Sequence, residues 1–212
     1  MKEKIMNTSE GIFFALAGGE GSGKGTISDY LKSIYADKGV HFTREPGGVP
    51  LSEELRKMLK EQPMVPLTEL LLFEAARSEH LSQLVIPALL RGEHVVSDRF
   101  DACTYAYQVC GRWDGKFEEL FHTVNDHVVT RRPDVYIFCD ILPEVALKRR
   151  MSAGEIDRFD QEDLSFHTRV YEGYKKFFAN PKNGRSIHVD TSQPKEVVLA
   201  QVEEIMKQEL GF

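Results

Sequence analysis

Five short apolar runs alternate with amphipathic stretches along the chain, and the first of them empties into a glycine-rich loop. The runs are Ile12–Ala17, Val40–Thr43, His94–Ser97, Val135–Asp140 and Ile187–Asp190. They are short and rich in β-forming residues, which is the pattern of buried strands. Helical periodicity fills Thr26–Asp37, Pro66–Leu90, Gly115–Val129, Pro143–Met151, Asp157–Phe178 and Pro194–Leu210. Strand and helix patterns in this alternation predict βαβ units: a three-layer α/β/α domain around a five-stranded parallel sheet. No repeat, linker or low-complexity tract divides the chain, so residues 1–212 read as one domain. Sheets of this kind bind ligands beyond the carboxyl ends of their strands, and chemistry is expected there.

The loop after the first run is Gly18-Gly19-Glu20-Gly21-Ser22-Gly23-Lys24-Gly25-Thr26. Gly18, Gly23 and Lys24 satisfy the G-x-x-x-x-G-K core of a phosphate-binding loop, which makes the fold that of P-loop NTPases. Backbone N–H groups from Gly19 to Thr26 are expected to ring phosphate oxygens at a helix N-terminus, with Lys24 as the mobile charge. Gly25 stands where the strict pattern has Ser or Thr, with Thr26 one place later. A dinucleotide fingerprint fails, because no G-x-G-x-x-G register fits these glycines. The third run ends in Asp98-Arg99-Phe100. An acid at the end of an apolar strand is the expected Mg²⁺ position, directly or through water, and the arginine beside it suits phosphoryl groups.

Bulk composition narrows the partners. With 27 basic and 33 acidic residues the net charge is −6, against a nucleic-acid-binding surface but compatible with an anion-binding cleft. No apolar run is long enough for a membrane helix, and Ile12–Ala17 lacks the features of a signal peptide. Cys103, Cys110 and Cys139 have no CxxC spacing and the seven histidines no metal-ligand spacing, so a disulfide framework or zinc site is not expected and the cytoplasm is.

The middle of the chain adds Thr43-Arg44-Glu45-Pro46-Gly47-Gly48, then Phe73-Glu74-Ala75-Ala76-Arg77, then Asp98-Arg99-Phe100 running on to Thr104, Tyr107 and Gln108. With the phosphate loop upstream, these motifs resemble the bacterial-type thymidylate kinases over roughly residues 11–210. The resemblance implies ATP as donor, Mg²⁺ as cofactor, dTMP as acceptor and a homodimer, with no nucleic acid or membrane partner. It implies that Phe73 stacks on thymine while Arg77 bonds its O4, and the two share one helix face, being four apart. Thr104 corresponds to the N3 side of the pyrimidine, with Gln108 near the same edge, and Tyr107 to the ring beneath the sugar. Arg99 and Arg56 correspond to the monophosphate arginines, with Arg44 as an accessory. Glu20 would bond the 3′-hydroxyl, and Glu45 would organise the acceptor and metal region.

Asp140–Glu144 opens a helix ending in Lys148-Arg149-Arg150, and Asp157-Arg158-Phe159-Asp160 follows. This stretch resembles the family's lid, at about 149–160, which closes over ATP. The phosphate loop holds no arginine and 151–156 no basic residue, so the transition-state charge falls to Arg149, Arg150 or Arg158, with Arg149 preferred. Asp160 stands where relatives often have glutamate, and Ala17 where many carry an acid. Arg112 and Trp113 read as a surface loop, Cys103 as an inert thiol. Two alternatives stay open: another nucleoside monophosphate kinase, and a nucleotide-binding switch without turnover.

Overall fold

The computed structural model describes residues 10–113, 115–151 and 162–211. Strands β1 (Phe13–Ala17), β2 (Val40–Arg44), β3 (His94–Asp98), β4 (Val135–Asp140) and β5 (Ser186–Asp190) form one parallel sheet in the order β2-β3-β1-β4-β5. Side chains on a strand alternate between faces. Phe13, Ala15 and Ala17 of β1 therefore join one core, with Val95, Tyr136 and Phe138. Phe14 and Leu16 join the other, with Val96, Ile137 and Cys139. The second core is closed by α1 (Lys24–Tyr35) and α9 (Lys195–Leu210). The first is closed by α3 (Pro66–His80), the segment after β3, and α8 (Leu164–Ala179). Both faces are covered, which explains the apolar runs.

Register brings the strand ends together. Leu16 of β1 pairs with Asp98, and Asp98 pairs with Arg44 of β2. The phosphate loop, the turn after β2 and the Asp98–Arg99 pair thus leave the sheet at one edge, where chain direction switches from one side of β1 to the other.

The helices differ from expectation in four places. First, α2 (Pro50–Glu61) has no counterpart among the patterns read from the sequence. Second, Pro66–Leu90 is continuous but not uniform. A π-helical turn at Leu81–Val85 joins α3 to α4 (Ile86–Leu90), and Ile86 N–H reaches back to Leu81 O. The wider turn lies just before Pro87, which has no N–H and whose ring would crowd an α-helical carbonyl. Third, α5 (Asp101–Thr104) passes into a second π-helical segment, Tyr105–Gly111, and helix persists through Arg112 and Trp113. Arg112 and Trp113 are therefore not a surface loop: the Arg112 side chain is 18% exposed, paired with Glu69 and Glu162 and lying over the Phe166 ring. Fourth, α8 starts at Leu164 rather than 157, because Asp163 caps it by accepting from Phe166 N–H at 2.7 Å. Helices α6 (Glu118–Val128) and α7 (Pro143–Met151) lie within the expected stretches. Most of the expected lid, including Arg158 and Asp160, falls outside the described residues. Among the described residues no helix is long and apolar enough to cross a membrane.

Candidate active site

At the carboxyl edge of the sheet a cavity of about 240 Å³ opens between α2, α3 and the π-helical segment. Its lining includes Glu20, Glu45, Arg56, Phe73, Arg77 and Asp98, and continues through Arg99, Thr104, Tyr107 and Gln108. Every residue expected to touch the acceptor, the accessory Arg44 excepted, therefore borders one cavity. A groove of about 450 Å³ runs along the other side of the phosphate loop, past Gly21, Gly23, Thr26 and Arg149.

The phosphate loop is shaped by its glycines. Gly21 has φ +71°, and a Cβ there would come within 2.0 Å of Ala146 O, so α7 can pack on the loop only where no side chain exists. Lys24 Nζ donates to Gly18 O at 2.8 Å, to Gly19 O at 2.7 Å and to Ser22 Oγ at 3.2 Å. Burial and the nearby Arg99 guanidinium lower its pKa. Gly25 and Thr26 are exposed at the start of α1.

Glu20 joins the loop to the cavity. Its Oε1 accepts from Arg99 Nη2 and, at 3.2 Å, from Tyr107 Oη. Burial works against the charge on this carboxyl, yet Arg99 and Lys24 outweigh it and hold the pKa down to about 2. Arg99 takes φ +74°, the sole positive φ among described non-glycine residues, and its guanidinium lies over the Tyr107 ring, 5.4 Å from the centroid. A strained backbone at the end of a central strand is thus held by the residue whose side chain reaches the junction of the two spaces. Tyr107 is fastened edge-on to Phe166 and Tyr174, and burial raises its pKa well above the ordinary tyrosine value.

A second polar cluster forms the far wall. Arg77, 1% exposed, donates from Nε to Glu45 Oε2 at 2.9 Å, from Nη1 to Glu74 Oε1 at 2.7 Å and from Nη2 to Thr104 Oγ1 at 2.7 Å. It also lies over the Phe100 ring at 5.1 Å. Three of its five N–H donors are used in this way, which fixes the plane of the guanidinium and leaves two for a ligand. Glu45 Oε1 meets His80 Nδ1 at 2.9 Å, and His80 Nε2 meets Thr43 Oγ1 at 2.8 Å. Each oxygen of Glu45 thus has one partner, which ties the turn after β2 to Arg77 and His80 of α3. Phe73 is half-buried beside Arg77. Gln108, 2% exposed, donates from Nε2 to Glu69 Oε1 at 2.9 Å.

The remaining arginines divide. Arg56 is half-buried in the cavity wall and donates to Pro46 O at 2.9 Å, so it is not merely a solvated surface charge. Burial and the neighbouring Arg44 lower its pKa. Arg44 itself faces Glu53 at 2.9 Å in an adjacent cleft. Arg149 donates to the carbonyls of Thr191 at 2.6 Å and Ser192 at 3.1 Å. It therefore lines the groove on the other side of the phosphate loop, with Gly21, Gly23 and Thr26.

Among the described residues the buried Oδ1 of Asp98 has no hydrogen-bond partner. An orphaned carboxylate oxygen between the phosphate loop and the acceptor cavity fits a hard cation that keeps most of its waters, as Mg²⁺ does. Among the described residues no group of three or more His, Cys, Asp or Glu forms a cage for a metal.

His80, Glu74 and Glu69 were not singled out from the sequence. A signal was present: positions 69, 73, 77 and 80 follow helical spacing and bring Glu69 and His80 to the face of α3 that carries Phe73 and Arg77.

Phosphate loop, strand-end acid and arginine, and a separate polar acceptor cavity define a phosphoryl-transfer enzyme of the nucleoside monophosphate kinase class. The thymidylate kinase family model matches residues 16–202. The thymidylate kinase of Alkalilimnicola ehrlichii is 42% identical over 205 residues, covering 93% of each chain. That of Acinetobacter baumannii is 39% identical over 197 residues, covering 90% of this chain and 97% of its own. The crystal structure of the thymidylate kinase from Ehrlichia chaffeensis superposes with a TM-score of 0.72 at 30% identity, covering 93% and 99%. The chain belongs to the thymidylate kinase family.

Proposed function

We infer that the protein transfers the γ-phosphoryl group of ATP to dTMP, giving ADP and dTDP. The observation that carries this reading is the junction at Glu20, where the phosphate loop and the acceptor cavity meet over Arg99 and Tyr107. A donor phosphate in the loop and an acceptor phosphate beside Arg99 would approach in line. The attacking oxygen of dTMP is already anionic, so little proton transfer is needed, and positioning with charge stabilisation supplies the rate.

In this reading Lys24 neutralises the β- and γ-phosphates, Gly19 to Thr26 hold the donor, and Arg99 with Arg56 holds the acceptor phosphate. Glu20 fixes the sugar side and Tyr107 fills the space a ribose 2′-hydroxyl would need. Phe73 provides the stacking wall and Arg77, Thr104 and Gln108 the polar edge for the base. Glu45 steadies Arg77. Arg149 belongs to the donor nucleotide, through the loop after β5. Asp98 would hold Mg²⁺ through water, and the ion would neutralise phosphate charge when bound. The whole chain acts as one kinase domain with a lid near 149–160. Val65, Leu67 and Leu71 at the start of α3 leave apolar area exposed, which supports a homodimer through that helix. Its compartment in this reading is the cytoplasm, consistent with three free cysteines.

Phosphorus NMR of dTMP incubated with ATP and Mg²⁺ tests the reading. The dTMP resonance should give way to the two coupled signals of dTDP as ADP appears. ATP hydrolysis that leaves dTMP untouched would overturn it.

A further inference from the structure

The base edge of the acceptor cavity contains an amide whose orientation decides what it can read. A glutamine side chain offers an acceptor on one side and two donors on the other. Which end faces a ligand depends on what holds the opposite end. In this protein the holder is Glu69, on the face of α3 that turns toward the cavity. Its carboxylate is 2% exposed, and Oε1 receives Gln108 Nε2 at 2.9 Å and Arg112 Nε at 3.5 Å. Arg112 is itself fixed by Glu162 and by the Phe166 ring at 5.1 Å. A carboxylate oxygen that receives N–H groups from two sides is an acceptor, and it faces the amino end of Gln108. The carbonyl end is then the polar atom Gln108 offers to the cavity.

We propose that Glu69 is a positioning residue that locks Gln108 with its carbonyl toward the base and so sets discrimination between thymine and cytosine. This rests on dTMP being the acceptor. Arg77, which keeps two N–H donors beyond its bonds to Glu45, Glu74 and Thr104, lines the same cavity. A donor and an acceptor there match the imide edge of thymine, where O4 accepts and N3–H donates. Cytosine inverts both groups, presenting an amino group to Arg77 and an N3 lone pair to the Gln108 carbonyl. Rejection is therefore built from two repulsions, and the second persists only while Glu69 prevents the amide from turning over.

Glu69→Leu removes the acceptor and frees the amide. The kcat/KM ratio of dTMP to dCMP should fall by roughly tenfold or more, with the loss for dTMP carried by KM rather than kcat and the KM for ATP unchanged. Glu69→Gln, whose carbonyl can occupy the same place, should restore the ratio. An unchanged ratio in folded Glu69→Leu would overturn the proposal, as would a ratio lost equally in Glu69→Gln. A second measurement needs no variant. In the wild-type protein without dTMP, the side-chain amide protons of Gln108 should already exchange slowly with solvent, being bonded to Glu69. Exchange as fast as that of an exposed amide, slowed only when dTMP is added, would contradict the lock. A wild-type enzyme that shows no preference for dTMP would instead defeat the underlying reading of the acceptor.

Discussion

Arg77 and Glu20 show how much of this site is electrostatics settled before any ligand arrives. Arg77 bridges buried Glu45 and Glu74, and among the described residues one oxygen of Glu74 lacks a hydrogen-bond partner. Replacing Arg77 by Met should cost about 3–5 kcal/mol in urea denaturation, because buried Glu74 loses its ion-pair partner and Glu45 keeps only His80. A loss below about 1 kcal/mol would show that they are not charged there. At Glu20 the folded pKa is about 2 against an ordinary 4.5. A depressed carboxylate pKa stabilises the fold on the order of 3 kcal/mol above pH 4.5, and that stability is lost as pH falls from 4.5 toward 2. Glu20→Gln should therefore flatten the acid limb of the stability profile between those values. Equal acid limbs in variant and wild type would contradict the assignment. Most of the residues that make these clusters were legible, because Phe73, Arg77, Glu45 and the Thr104–Gln108 series form recognisable motifs. Their partners were less so: His80 and Glu69 look like ordinary helix polar residues until α3 is laid against β2 and the π-helical segment.

At the scale of elements, the sequence specified all five strands within a residue or two, since each is short, rich in β-forming residues and bounded by turn residues, with β1 and β4 apolar on both faces. Helix type was not legible. The π-helical segment at Tyr105–Gly111 follows from tertiary packing: α8 approaches it so closely that a Cβ on Gly173 would lie 2.9 Å from Cys110 Cβ and 3.0 Å from Ala106 Cα. Gly173→Val should push these two elements apart and displace Tyr107 and Gln108. We expect the KM for dTMP to rise at least roughly tenfold while ATP binding persists, since a 1 Å misplacement can cost about a hundredfold. An unchanged KM for dTMP would mean the segment keeps its shape without α8. Asp163→Ala removes the N-cap of α8 and should cost about 1 kcal/mol, lowering Tm by roughly 2–4 °C. No change in Tm would show that Asp163 does not cap α8 in solution. Helix α2 does carry an apolar stripe, Leu51, Leu55, Met58 and Leu59 at helical spacing, but its length is dominated by charged residues and only Ser52 and Leu59 are buried.

For the whole molecule, one parallel sheet presents a donor loop and an acceptor cavity at a single edge, and the ends of β1, β2 and β3 are held in register to do so. If α3 joins two copies through Leu67 and Leu71, Leu71→Glu should shift the sedimentation coefficient from dimer toward monomer. A wild-type monomer at micromolar concentration would refute that interface. In the proposed reading the cavity selects a thymine deoxynucleotide. The most direct test is kcat/KM for ADP formation from ATP and Mg²⁺ with dTMP, dUMP, dCMP, dGMP, AMP and ribosyl-TMP as separate acceptors. The arrangement of Arg77, Thr104, Gln108 and Tyr107 predicts dTMP first and dUMP lower by only about 10- to 200-fold, one methyl being the whole difference. It predicts dCMP and the purines lower by roughly 10⁴ or more, and a weak ribosyl-TMP. Comparable rates across bases would contradict it.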